Sequence, residues 1–303
     1  MIADARARAA YLAYRAGAEL ARVVPPTVGG AVANGMARAM QRAWPARRAQ
    51  VARTLQRVTD GALAGATLDR AVNDVFANYA RYWHEFFRLP DATREWILGH
   101  FDLAGFERLE AARAAGQGAI LALPHLGNWD FAGAYLAARG VPLVAVAEVV
   151  DPPRLFEWFV ATRRRLGIDV VALGPNSAAR LTRALHENRV VCLLCDRDLA
   201  GNGVRVKFFG EETTVPGGPA MLALRTGAPL LPGAVYFAPG HGHTARIGDP
   251  VPAERRGRLR ADVERVTADL VRRMEDAIRR APEQWLLMQP NWPSDRAVFG
   301  VRR

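Results

Sequence analysis

Between residues 118 and 195 the chain repeats one pattern, a short apolar run followed by a longer stretch with helical spacing. The apolar runs cover 118–123, 143–148, 169–173 and 190–195, and the helical stretches 126–139, 153–166 and 176–188. Short runs that are apolar at every position, rather than at alternate ones, read as strands buried on both faces. Strands separated by helices of this length pair in parallel. The reading is α/β: a mostly parallel central sheet flanked by helices on both faces. Further on, 204–209 and 230–237 read as strands, and about 217–227 and 255–281 as helices.

The first hundred residues are different. Residues 4–24 are amphipathic, with Tyr11, Leu12, Leu20, Val23 and Val24 set among arginines, and Pro25-Pro26 ends the pattern. Residues 28–44 and 46–58 read as further helices. In 67–88, Leu68, Val72, Val75, Phe76, Tyr79, Tyr82, Trp83 and Phe86 recur at helical spacing. This aromatic stripe reads first as core; its functional alternative is the wall of an acyl-chain groove or a membrane-facing surface. Residues 1–303 therefore read as one domain, a helical part to residue 100 followed by an α/β core over 101–303.

Charge is concentrated at the start. The chain carries a formal net charge of +11, and residues 1–60 hold ten arginines against Asp4, Glu19 and Asp60. A basic surface interleaved with apolar helix faces suits an anionic leaflet, each basic residue near it contributing about 1 kcal/mol. No RNA-binding motif, zinc spacing or helix-turn-helix pattern occurs, so nucleic acid is not the expected partner. No stretch reaches the ~18 continuous apolar residues of a spanning helix. Arg6, Arg8, Arg15 and Glu19 interrupt any signal-peptide core. The expected place is the cytosol or a membrane surface reached from it. Cys192 and Cys195, three apart in an apolar run, would face opposite sides of a sheet and stay unbridged.

Three apolar runs end in chemistry. The first leads to His125, with Asp130 five residues on; the second ends at Glu148; the last ends at Asp196-Arg197-Asp198. In an open parallel sheet, ligands bind beyond the carboxyl ends of the strands, so the histidine and four acids would share one rim. A histidine that takes a proton from an alcohol needs a carboxylate to fix its tautomer and steady the imidazolium, and Asp130 is the nearest in sequence. The serines are Ser177 and Ser294, and neither lies in a nucleophile elbow. No phosphate-binding or dinucleotide fingerprint occurs. The chemistry that remains is direct attack by a hydroxyl, with His125 as base and both substrates bound together. Backbone N–H groups near Gly127 are the expected oxyanion donors. His241-Gly-His243 reads as a solvated turn rather than a metal site, and no metal is expected.

These residues resemble the late acyltransferases of lipid A biosynthesis, and within them the actinobacterial branch that acylates phosphatidylinositol mannosides. The likeness covers nearly the whole chain. It is carried by Pro124-His-Leu-Gly-Asn-Trp-Asp130, Val146-Ala-Glu148, Asp196-Arg-Asp-Leu199, Phe208-Phe-Gly210, Pro216-Gly-Gly-Pro-Ala220 and Thr226-Gly-Ala-Pro229. The resemblance implies a peripheral enzyme on the cytoplasmic face of the plasma membrane. It would move a fatty acyl group from acyl-CoA, with no bound cofactor, to a sugar hydroxyl of an anionic glycolipid. In the mannoside branch that hydroxyl is the 6-position of a mannose. The motif match makes His125 the base, Asp130 its orienting partner and Glu148 a polar lining residue. Asp196 stands where that branch has a second catalytic acid, a glutamate, so its shorter side chain is a departure. Asn128, Arg163, Arg164, Arg197, Asp198, Asn202 and Arg225 would contact substrate. Two other readings stay open: a sugar-nucleotide-dependent glycosyltransferase, and a catalytically inactive lipid-binding homologue.

Overall fold

The computed structural model describes residues 2–23 and 26–299, with the backbone alone for 2–6, 10, 26–34 and 299. Four helices come first: α1 (Ile2–Val23), α2 (Pro26–Ala43), α3 (Pro45–Val58) and α4 (Gly65–Arg88). Val24 and Pro25, at the expected break, lie outside the described residues. The α/β part continues with α5 (Arg94–Gly99), β1 (Phe101–Ala104), α6 (Phe106–Ala114), β2 (Ala119–Leu123), α7 (Trp129–Ala138), β3 (Leu143–Ala147), α8 (Pro153–Arg165), β4 (Ile168–Ala172), α9 (Ser177–His186) and β5 (Val190–Leu194). It closes with β6 (Val204–Phe208), β7 (Glu211–Val215), α10 (Gly218–Thr226), β8 (Leu230–Phe237), β9 (His243–Ile247), α11 (Leu259–Arg279) and α12 (Pro293–Phe299).

The α/β reading holds. Seven strands form one sheet in the order β1-β9-β8-β2-β5-β3-β4. Every pairing in it is parallel except β8 with β9. β2 and β5 sit in the middle, which is why their sequences are apolar at every position. Ile120, Ala122 and Val191 belong to a core shared with α9, α10 and α11. Ala119, Leu121 and Leu143 belong to a second core with α6 and α7 on the opposite face. Cys195 packs in the first core and Cys192 against the second, and both are free thiols, as the spacing requires.

The pattern did not reveal every element. β1 (Phe-Asp-Leu-Ala) and β9 (His-Thr-Ala-Arg-Ile) expose alternate side chains near the sheet edge, so neither shows as an apolar run. β7 pairs only with β6 in a separate two-stranded ribbon, and its Glu-Glu-Thr-Thr-Val carries a polar signature.

The aromatic stripe of α4 is mostly core. Phe76 and its neighbours pack with Val51 and Leu55 of α3. Phe86, fully buried, meets Tyr82, Trp83, Phe159 and the guanidinium of Arg163. Tyr14 of α1 stands edge-on to Trp83, ring centroids 5.1 Å apart. The helical part is thus joined to α8 by an aromatic cluster. Removing the Phe86 ring leaves a cavity its stacked neighbours cannot close. Phe86→Ala should cost about 3–5 kcal/mol, read as a fall in the midpoint of urea unfolding.

Candidate active site

β2 and β5 are parallel neighbours, and Leu123 lies opposite Leu194. Two residues beyond each of these leucines stand His125 and Asp196. The register therefore sets the two side chains next to each other at the carboxyl edge of the sheet. His125 Nδ1 lies 2.6 Å from Asp196 Oδ1, and the His125 backbone N–H donates to Asp196 Oδ2 at 2.9 Å. Trp285 Nε1 donates to the same Oδ2 at 2.6 Å, and Asn291 holds the Asp196 backbone carbonyl at 2.9 Å. Asp196 is completely buried. Burial alone would raise its carboxyl, but the His125 imidazole and these donors outweigh it and hold it below the usual carboxylate range. An ionised Asp196 only accepts, so Nδ1 carries the proton and Nε2 presents a lone pair. Trp129 stands edge-on to the imidazole, ring centroids 5.2 Å apart.

Asp130 is not the partner of His125. Both its oxygens are taken by other groups: Arg163 Nε donates at 2.7 Å and Arg163 Nη2 at 2.9 Å, a two-pronged ion pair, and Tyr82 OH adds a bond of 2.7 Å. Burial opposes the charge on Arg163, yet the adjacent carboxylate prevails and raises its pKa. Tyr82, pushed well above the ordinary phenol by burial and by Asp130, is a neutral donor. The physical reason is direction: α7 starts at Trp129, so Asp130 points along the first turn of the helix toward α4 and α8. Asp196 is delivered by the neighbouring strand.

A cavity of about 750 Å³ opens at this edge. His125, Asp130, Glu148, Arg163, Arg197, Asp198, Asn202 and Arg225 all line it, so most of the expected residues do converge. Its inner part runs between the sheet and α7, bounded by small or apolar side chains such as Ala132, Gly133, Ala145, Gly233 and Ala245. Cys192 also borders it, its thiol pushed up to about 12 by burial, which makes it an apolar surface rather than a nucleophile.

Further expectations are corrected. Asn128 is fully buried behind the wall: its Oδ1 accepts from the Phe131 N–H at 3.0 Å, capping α7, and its Nδ2 donates to Glu85 at 2.7 Å. Arg164 is exposed and outside the cavity lining. Asp198 lines the cavity, but its oxygens are engaged by the N–H groups of Gly201 and Gly203, both at 2.9 Å, so it shapes its loop. Gly127 donates its N–H to the Gln284 carbonyl at 3.0 Å and Leu126 to Pro124 at 2.8 Å, so these two N–H groups are already engaged. His243, finally, is no solvated turn: it is buried, stacked near Phe131, with Nε2 3.3 Å from Glu85.

The structure also adds residues. The segment around Trp285 straps the histidine loop, with Leu286 N–H donating to the His125 carbonyl at 2.8 Å. Tyr82 and Glu85 reach the site from α4. Glu85 was the detectable one, a lone acid set between Tyr82, Phe86 and Phe87, all buried. Trp285 lies far along the chain and carries no local signal.

The chain belongs to the bacterial lipid A biosynthesis acyltransferase family, whose sequence profile matches residues 5–294. Among its relatives is the phosphatidylinositol mannoside acyltransferase of Mycolicibacterium smegmatis, 37% identical over 288 residues, covering 94% of this chain and 91% of that one. The Mycobacterium tuberculosis protein of the same name is 38% identical over 251 residues, 81% and 77% of the two chains. A lipid A biosynthesis acyltransferase of Haemophilus influenzae matches more distantly, 26% over 152 residues, about half of each chain. The protein is an acyltransferase, and the glycosyltransferase reading falls away.

Two stability consequences follow. Asp130→Asn leaves Arg163 buried without its counter-charge and should cost about 3–5 kcal/mol in urea unfolding at neutral pH. Asp196, with its folded-state pKa lowered, stabilises the fold above the ordinary carboxylate pKa, and that contribution is lost as pH falls through the lowered value. The stability gap between wild type and Asp196→Asn should therefore shrink from pH 7 toward pH 3; a gap that stays constant would contradict the ionised dyad.

Proposed function

We propose that this protein transfers a fatty acyl group from acyl-CoA to a sugar hydroxyl of a membrane glycolipid, the 6-hydroxyl of a mannose on a phosphatidylinositol mannoside. The observation that carries the reading is a histidine with its tautomer fixed by a buried aspartate, bordering a cavity whose inner part is apolar. Nε2 of His125 has no protein partner among the described residues and is the group that takes the acceptor proton. As the proton leaves, the alkoxide oxygen attacks the thioester carbonyl. The C–S bond then breaks, the CoA thiolate leaves, and the imidazolium returns the proton to it. Asp196 steadies the imidazolium during the exchange. The route needs no covalent acyl-enzyme, in keeping with Cys thiols pushed up by burial and with Ser177, which borders the cavity but donates its hydroxyl to the Gly174 carbonyl at 2.7 Å.

The inner cavity suits an acyl chain, because its walls are aliphatic and small where the sheet faces α7. Glu148, exposed at the end of β3, is placed to accept hydrogen bonds from the sugar. Arg197 and Arg225 offer charge for phosphate oxygens. Asp130 and Arg163 act as a neutral, rigid wall. The relatives named above supply the acceptor class.

Access comes from a membrane surface in this reading. No helix among the described residues is long and apolar enough to cross a membrane. Leu12 and Leu20 on α1, Met36 on α2 and Trp44 are exposed among the arginines of these helices. That combination favours peripheral docking on an anionic leaflet, the cytoplasmic face of the plasma membrane.

A thiol-reporter assay with palmitoyl-CoA and mannosylated phosphatidylinositol in anionic vesicles tests the proposal. CoA release should depend on the glycolipid, and His125→Ala should lower it by about 10²–10⁴-fold with the fold intact. Full activity in that variant defeats the mechanism. Glycolipid binding without CoA release would make the chain an inactive homologue.

A further inference from the structure

A second cavity, of about 570 Å³, lies against the loop that follows β5. Arg197, Asp198, Leu199 and Ala200 border both cavities, so only this loop separates them. The rest of its wall comes from the first two turns of α3, from residues 288–291 and from Arg296 of α12.

Its chemistry is not that of packing. The guanidinium of Arg47 rests on the Trp44 ring at 5.0 Å, and neither Arg47 nor Arg197 forms an ion pair among the described residues. α3 begins with no side-chain cap and no acid in its first turn, so its amino end adds unmatched positive potential. The nearest carboxylate in the wall, Asp198, is committed to the N–H groups of Gly201 and Gly203. Two buried amides complete the wall. Gln50 donates through Nε2 to Thr54 at 3.1 Å and to Asp295 at 2.8 Å, and Asn291 donates through Nδ2 to the Asp196 carbonyl at 2.9 Å. Those bonds fix the amide orientations and leave Gln50 Oε1 and Asn291 Oδ1 buried without a donor.

Positive donors beside donorless acceptors complement an anion that carries hydroxyls. We propose that this cavity binds a hydroxylated phosphate ester, the polar part of one substrate. The ligand class rests on the acyl-transfer reading above; two groups in that reaction have this chemistry, the inositol phosphate of the acceptor and the ribose phosphate of CoA. Asn291 links the site to the base, since it also holds Asp196.

The test is calorimetric titration of the full chain with inorganic phosphate, inositol 1-phosphate and CoA in turn. One of the two esters should bind at least about tenfold more tightly than inorganic phosphate, and the tighter one identifies the source. Arg47→Glu, at an exposed position, should weaken that ester about tenfold or more, while the charge-matched control Arg260→Glu on α11 binds as wild type does. Esters that bind no better than phosphate, or binding indifferent to Arg47→Glu, would overturn the site. Ester binding sensitive to Arg47 in a chain that releases no CoA would leave the site standing and defeat the acyl-transfer reading instead.

Discussion

One hydrogen-bonded contact across two adjacent strands organises everything else at this edge: the imidazole of His125 on the carboxylate of Asp196. It exists because β2 and β5 are paired in parallel and in a register that brings Leu123 level with Leu194. A carboxylate in this place, wholly shut off from water, would be costly alone. It is tolerated because the imidazole, the His125 amide and the Trp285 indole all point at it. The strap at Trp285 fixes the backbone as well as the charge, since Leu126 and Trp285 also form a short bridge. The histidine is thereby held on three sides, and only its Nε2 edge is left for chemistry.

A second network stands beside it and does a different job. Asp130, five residues after His125, is bound to Arg163 and Tyr82. Asn128, three residues after His125, is bound to Glu85 and caps α7. The His-to-Asp spacing of the motif therefore serves two sites at once. Its first residue belongs to the sheet and its last to the interface between α7, α8 and α4. Loss of either network would disturb the loop, but through separate partners.

Much of this was legible in the chain. Fully apolar runs marked the buried strands and so the edge where polar groups gather; they brought His125, Glu148, Asp196 and Asp198 to that edge, although Asp198 is spent on its own loop. What could not be read was which acid faces the imidazole of His125. Distance along the chain favoured Asp130, whereas pairing of strands, a property of register, favours Asp196. Edge strands such as β1 and β9 escaped because alternate exposure hides them among loops. Asn128 was assigned to substrate by its place in a motif and Arg164 by its place in an arginine triplet, yet one is spent on a helix cap and the other faces solvent. Trp285 was invisible because nothing local distinguishes it from any buried indole.

The helix α4 touches both halves of the molecule. Through Trp83 it meets Tyr14 of the amino-terminal helix, and through Tyr82 and Glu85 it meets the first turn of α7. No hinge or linker intervenes. A fragment cut at residue 100 would thus expose a bare Asp130–Arg163 pair and an Asn128 stripped of its acceptor. The amino-terminal helices and the loop that carries His125 are tied by one rigid rod, so any displacement of the first would be transmitted to the second.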